Sequence, residues 1–400
     1  MRCLENTDQK MNKILPSIYI LVIFSLFLYS FTQIDLSIVI SQNTAILSIQ
    51  KAFQYIGYFN RPLSATLYII IILSLFSLYI TFLKQALRKK LTRKVVWGII
   101  IAVAAILTFS YNAFSYDLFN YIFDAKIISF YNQNPYLHKA LDYTGDPMLS
   151  FMRWTHRVYP YGPIWLFLTV PLSYLGSQSF VITFGLFKVL MSLSFIGAVF
   201  MIGKIFKKYS PQDEVFGLIF FGLNPLIIIE SLISSHIDIV MMFFALTSVY
   251  LLIENRFVSS WVALVVSIGI KFATTFLVPI FLFKTFFDKK NTHSWDQMFY
   301  LSTILMAVTI IAASTTSGNF QPWYLIPFLT LATFVSKRPI IFIAAVLGSL
   351  VSLLNYVPYL LLGVWDARLA EYINLINTSG LVIILASTLI YTILHPRRAY

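Results

Sequence analysis

The chain alternates long apolar runs with short polar breaks, and the length of each run limits what it can build. Runs 14–31, 63–83 and 95–114 each hold about the ~20 residues that a helix needs to cross a ~30 Å hydrocarbon core. Ten further runs lie near 161–176, 180–203, 215–231, 238–253, 257–271, 272–287, 298–316, 321–335, 339–358 and 379–395, for thirteen in all. Several are too short to span, which suits half-helices or kinked pairs. The pattern predicts an all-α polytopic membrane protein with about 12–13 transmembrane or half-spanning helices, folded as a single membrane domain over 1–400. The first run is too long for a cleavable signal peptide and lacks a small-residue cleavage pattern.

One connection breaks the rhythm. Residues 115–160, SYDLFNYIFDAKIISFYNQNPYLHKALDYTGDPMLSFMRWTHRVYP, carry four of the sixteen acidic residues, two of the five histidines and eleven aromatics. Unstructured connections of this length are uncommon without a function. Titratable groups and rings held at a membrane surface suit chemistry on a molecule that arrives from the lipid.

Composition agrees with the membrane reading, since 58% of residues are hydrophobic and 11% charged, against roughly 25% charged in soluble domains. The net charge of +13 would suit nucleic acid if it formed a patch. Instead twenty of the twenty-nine basic residues sit at the N-terminus and in clusters 84–94, 204–208, Arg256, 284–290, 337–338 and 397–398. Such clusters mark cytoplasmic loops that meet anionic headgroups. They predict a multi-pass cell-membrane protein with a cytoplasmic N-terminus and an extracytoplasmic 115–160 loop. Segment 161–176 decides the rest. It is short and carries Pro163 and Pro171. If it does not cross, every later basic cluster falls inside. The single cysteine, Cys3, rules out an intramolecular disulfide.

Within the loop, Asp117, Tyr121 and Asp124 recur at i, i+4 and i+7 and so share one helix face. Two carboxylates roughly 10 Å apart along a helix act separately. A carboxylate beside aromatic rings suits a general base, and Asp117 equally suits a helix cap. Asn134-Pro135-Tyr136 predicts a turn. Arg153, His156 and Arg157 at i, i+3 and i+4 predict a basic helix face that suits a phosphate or an interfacial anchor beside Trp154. Elsewhere Glu230, His236, Asp238 and Lys271 stand in or beside apolar runs, where ionisable groups mark function or pairing. Gln321-Pro322-Trp323-Tyr324 opens a run with the composition of an aromatic belt. There is no His-x-x-x-His pair, no Cys cluster, no Asp-x-Asp and no glycine-rich phosphate loop. The chain thus implies no cofactor and no nucleotide site, and leaves a divalent metal open.

SYDLFNYIFDAK, QNPYLHKA and VYPYGPIWLFLTVPLSYLG together resemble the first outer loop of the polytopic glycosyltransferases that use lipid-phosphate sugars, the GT-C superfamily. The pattern is similar to that of polyprenol-phosphate-mannose-dependent mannosyltransferases. NPLIIIESLISSHIDIVMMFFAL, GIKFATTFLVPIFLFK and QPWYLIPFL resemble that family's later motifs, so the likeness covers roughly 95–335. It implies inverting transfer of a hexose, usually mannose, from a polyprenyl phosphate to a hydroxyl of a lipid or glycan acceptor outside the cytoplasm. It implies Asp117 as general base. Tyr121, Asp124, Asn134, Tyr136, Tyr161, His236, Asp238, Trp323 and Tyr324 would bind substrate. Arg153, His156, Arg157 and Lys271 would hold the phosphate. Two features depart from the family: Asp117 follows the third apolar run instead of the first, and the family counts 161–176 as a full crossing. The competing expectation is a transporter or lipid flippase built on Glu230, His236, Asp238 and Lys271. Transporters commonly show repeated halves, and the chain has no internal repeat.

Overall fold

The computed structural model describes residues 2–288 and 292–395, with side chains from residue 14 onward. Lys289, Lys290, Arg397 and Arg398 of the basic clusters lie outside the described residues. All thirteen apolar runs are helical, and no strand occurs among the described residues. The first half comprises α1 (Arg2–Ser30), α2 (Thr44–Gln54), α3 (Arg61–Leu87), α4 (Arg93–Thr108), α5 (Asp117–Ser129), α6 (Pro163–Leu175), α7 (Phe180–Tyr209) and α8 (Glu214–Gly222). The second comprises α9 (Pro225–Ile228), α10 (Asp238–Ile253), α11 (Phe257–Ile270), α12 (Val278–Leu282), α13 (Trp295–Ser317), α14 (Leu325–Ala332), α15 (Pro339–Leu354), α16 (Tyr356–Leu362) and α17 (Ala367–Leu394). Six helical segments are long and apolar enough to cross a membrane, and a seventh span results if the pair Pro211–Gly222 and Pro225–Ile233 counts as one. The protein is an all-α polytopic membrane protein.

Helix starts follow local chemistry. Asn60 caps α3 by accepting from the Leu63 amide, with Pro62 in the first turn, where its missing N–H removes no hydrogen bond. Ser294 and Gln297 form a reciprocal capping box on α13, and Asp366 accepts from Leu369 N at the start of α17. The polar segment before α3 contains an element that the run pattern did not reveal. There α2 exposes Ile46 and Ile49 on one side and turns Gln50 and Gln54 inward.

Basic residues gather at one end of the bundle. Arg93 pairs with Glu214 at 2.8 Å, Lys208 with Glu254 at 2.8 Å, Arg338 with Asp296 at 2.5 Å, and Lys337 with Asp213. Exposed pairs of this kind each contribute about 0–1 kcal/mol, so they report position more than stability. The 115–160 loop lies at the opposite end, because α4 starts at Arg93 and delivers the chain into it.

α6 stays at the loop's end. The Gly162 amide donates to Ile270 O at 3.2 Å, and a side chain on Gly162 would collide with Gly269 O, its Cβ lying 2.1 Å away. Trp165 packs edge-on to Tyr121 at 5.5 Å, and Ser173 meets Ser129 at 2.8 Å, so α6 runs alongside α5. Gly176 then packs on Thr183, in the first turn of α7. Thirteen residues extend only ~20 Å, and here they return to the end where they began. At this length α6 is one of several apolar helices too short to span by themselves.

The core centres on the bend between Pro211–Gly222 and Pro225–Ile233, which turns by 55°. Breaking a helix in hydrocarbon frees carbonyls that no water can satisfy. Tyr79 Oη donates to Phe220 O at 2.8 Å, and Tyr19 Oη donates to Leu223 O at 3.1 Å. Asn224 accepts from Leu226 N at 2.9 Å and donates to Ser349 Oγ at 3.2 Å, restarting the helix with Pro225 in its first turn.

In a Cys3→Ser background, single cysteines at Leu141 and Gln178 should react with an impermeant maleimide from one side of sealed vesicles. A cysteine at Lys207 should react only from the other. Labelling of positions 141 and 178 from opposite sides would make α6 a crossing.

Candidate functional site

After α4 the chain turns through buried polar residues, with Asn112 Nδ2 donating to Ser115 O at 2.6 Å and the Asp117 amide donating to Ser115 Oγ at 3.1 Å. Asp117 opens α5, as its spacing with Tyr121 and Asp124 predicts. It does not cap the helix, because Tyr116 occupies the cap position without a side-chain bond. The capping role thus falls away and the carboxylate is left for other work. Its Oδ2 lies 3.5 Å from His236 Nδ1, and the side chain is 16% exposed.

His236 is fully buried beneath Asp117. The bent helix passes into a π-turn at Ile229–Ile233, and Ser235 takes a left-handed conformation at φ 57°. This folds His236 N back onto Glu230 O at 2.9 Å. The imidazole then lies between two carboxylates, with Nε2 3.3 Å from Glu230 Oε2. Its ring stacks on Trp323, centroids 3.9 Å apart and planes 19° from parallel. Tyr356 Oη donates to Glu230 Oε1 at 2.8 Å. Burial pushes the imidazole down, but Asp117 and Glu230 outweigh it and hold its pKa at about 9.

Asp238 starts α10, and both its carboxylate oxygens accept from Lys271 Nζ, at 2.9 and 2.7 Å. Lys271 follows the last turn of α11 and lies 5.9 Å from the Tyr324 ring centre. Tyr324 packs edge-on to Trp323, which links this ion pair to the Asp117–His236–Glu230 chain. Tyr121 and Tyr161 meet edge-on at 5.4 Å and form the opposite wall. The Tyr161 phenol is raised well above its ordinary range, first by burial and then by the charges of Asp117, Asp124 and Asp238. Burial, reinforced by Asp117, raises the Asp124 carboxyl to about 8. A neutral carboxyl can donate to a hydroxyl, so the two acids on α5 carry different chemistry.

Other expected residues lie elsewhere. Asn134 Oδ1 accepts from Tyr136 N at 3.0 Å, building the anticipated turn, and Tyr136 Oη donates to Tyr161 O at 3.0 Å. Both residues buttress Tyr161. The helix expected over Arg153, His156 and Arg157 is absent: the segment is a series of turns with Trp154 at φ 56°. Arg153 lies over the Tyr116 ring at 4.8 Å and 3.9 Å from Asp35, next to the site. His156 and Arg157 are exposed, with Arg157 lying over Trp154.

Sequence reasoning missed Asp35, Tyr356 and Lys188. Asp35 Oδ2 accepts from Tyr116 Oη at 3.3 Å, and its signal was an acid directly after the first apolar run. Lys188 is a lone charge inside the 180–203 run. Tyr356 carried no signal. Among the described residues no group of three His, Cys, Asp or Glu side chains gathers as a metal cage.

Residues 28–286 match the profile of the MptA_B family, described as the alpha-(1->6)-mannopyranosyltransferase N-terminal domain. No curated protein and no solved structure matches significantly. Trp323 and Tyr356, which close the site, lie beyond the matched span.

His236 gains protons on folding, because its pKa is raised from 6.5 to about 9. Its contribution to stability is complete below pH 6.5 and is lost as pH rises through 9. Melting of the purified protein should drop by a few °C between those pH values, and His236→Phe should remove that drop. An unchanged pH dependence in the variant would place the titration elsewhere.

Proposed function

Because the chain belongs to the alpha-(1->6)-mannopyranosyltransferase family, we propose that it transfers mannose from a polyprenyl-phosphate donor to a hydroxyl of a lipid or glycan acceptor. Transfer takes place at the Asp117 end of the bundle. The observation that carries this reading is the state of Asp117: a carboxylate at a helix start, not engaged in capping, 16% exposed beside a buried imidazole. Asp117 accepts the acceptor's proton while the acceptor oxygen forms its bond to the anomeric carbon. The bond from that carbon to the phosphate oxygen breaks on the opposite face, so configuration inverts. The electron pair leaves with the lipid phosphate.

Charge then grows on the phosphate, and a fixed cation there stabilises the transition state more than the ground state. Lys271, aimed by Asp238, takes this role, with Arg153 as the second cation at the site's edge. The exposed positions of His156 and Arg157 suit contact with lipid headgroups. Neutral Asp124 and the walls of Tyr121, Tyr161, Trp323 and Tyr324 hold the sugar ring and its hydroxyls. His236 sets the orientation of Asp117 from below.

The basic clusters at the opposite end support a cytoplasmic placement of that end. The N-terminus is then cytoplasmic, and the site faces the outer side of the cell membrane. A donor embedded in the lipid suits a chain without a visible nucleotide site.

Asp117→Asn should lower mannose transfer by a factor of about 10²–10⁴ in membranes supplied with polyprenyl-phosphate mannose, at normal protein level. Wild-type turnover in that variant would end the assignment of Asp117 as base.

A further inference from the structure

We propose that Lys188 is a positioning residue of this site: its buried Nζ holds the turn that sets Glu230 and His236 beneath Asp117. Lys188 lies in α7 with 1% exposure. Its Nζ donates to Leu232 O, to Ile233 O at 3.4 Å, to Ser235 Oγ at 3.3 Å and to Ser110 Oγ at 3.1 Å. No carboxylate pairs with it among the described residues. An ionisable side chain inside a membrane helix is costly and is retained where it does specific work.

The work is visible in the backbone. A helix end leaves its last carbonyls without amide partners. Here the π-turn Ile229–Ile233 ends in the middle of the bundle. Ser234 N reaches back to Ile229 O, and His236 N reaches back to Glu230 O. The chain then leaves in a left-handed turn at Ser235, so no amide beyond the helix reaches Leu232 O or Ile233 O. The amino group of a lysine offers several N–H donors to neighbouring acceptors, and here they reach the carbonyls that the turn leaves free. Lys188 is thus the C-cap of a buried helix end, supplied from another helix. It also joins that end to Ser110, seven residues before Asp117 on the chain segment that carries the base. One side chain thereby fixes the distance between the two halves of the Asp117–His236–Glu230 chain.

This inference rests on the proposed role of Asp117 for its catalytic consequence but not for its structural one, and the test separates the two. Full-length protein in nanodiscs is compared as wild type, Lys188→Met and Ser110→Ala. Amide hydrogen exchange is followed by peptide, and turnover is measured with polyprenyl-phosphate mannose. Lys188→Met should raise exchange across 229–238 by about tenfold or more, while α3, α10 and α15 keep their protection. The turnover number should fall at least about tenfold with the donor KM little changed, the signature of lost geometry rather than lost binding. Ser110→Ala should show the same pattern, weaker, and it retains the charge should Lys188→Met fail to fold.

Unchanged exchange at 229–238 in either variant, or an equal rise in every helix, would overturn the positioning role. Loosening confined to 229–238 without any loss of turnover would overturn its link to catalysis. If Asp117→Asn also retained turnover, the fault would lie with the base assignment, and the exchange result would stand by itself.

Discussion

A backbone carbonyl inside a membrane protein has no water to bond, and the architecture around residues 211–238 follows from that constraint. The chain breaks a helix in its core, bends it by 55°, and then ends it in a π-turn. Each freed carbonyl needs a donor, and each donor comes from a different helix: Tyr19 from α1, Tyr79 from α3 and Lys188 from α7. These bonds tie the break to three helices at once. Irregular backbone at membrane depth is tolerated only where protein encloses it or where it lines a cavity. Here it presents Glu230, His236 and Asp238 at the end of the bundle that holds the 115–160 loop.

Electrostatics take over from there. Four carboxylates, those of Asp117, Asp124, Glu230 and Asp238, gather around two aromatic walls. The fold separates them by partner: Asp238 faces Lys271, Glu230 faces His236 and Tyr356, and Asp117 shares His236 from the other side. Asp124 has no basic partner among the described residues, and burial, reinforced by Asp117, raises its carboxyl to about 8. Identical side chains are thus given different surroundings by burial and pairing alone.

Much of this was legible in the chain. Run length located thirteen helical segments, and charge placement separated the two ends of the bundle. Period gave the shared face of Asp117, Tyr121 and Asp124. The same period failed over Arg153, His156 and Arg157, because Trp154 adopts a left-handed conformation that ends any helix there. Periodicity reports a face only after a helix exists, and nothing in that segment nucleates one. The contact of His236 with Trp323 joins residues far apart in sequence, so spacing could not disclose it. Lys188 could have been noticed as a lone charge in an apolar run, but its carbonyl partners belong to a helix end that only the fold reveals. The amphipathic α2 escaped because its apolar stripe is too narrow to read as a run.

The central claim is that sugar transfer takes place beside Asp117. A structure of the protein with a non-transferable polyprenyl-phosphate sugar and an acceptor tests it most directly. The account predicts the acceptor hydroxyl within hydrogen-bond reach of Asp117, about 2.6–3.2 Å, and the phosphate against Lys271. A phosphate bound at the other end, among Arg93, Lys337 and Arg338, with no ligand near Asp117, would contradict it.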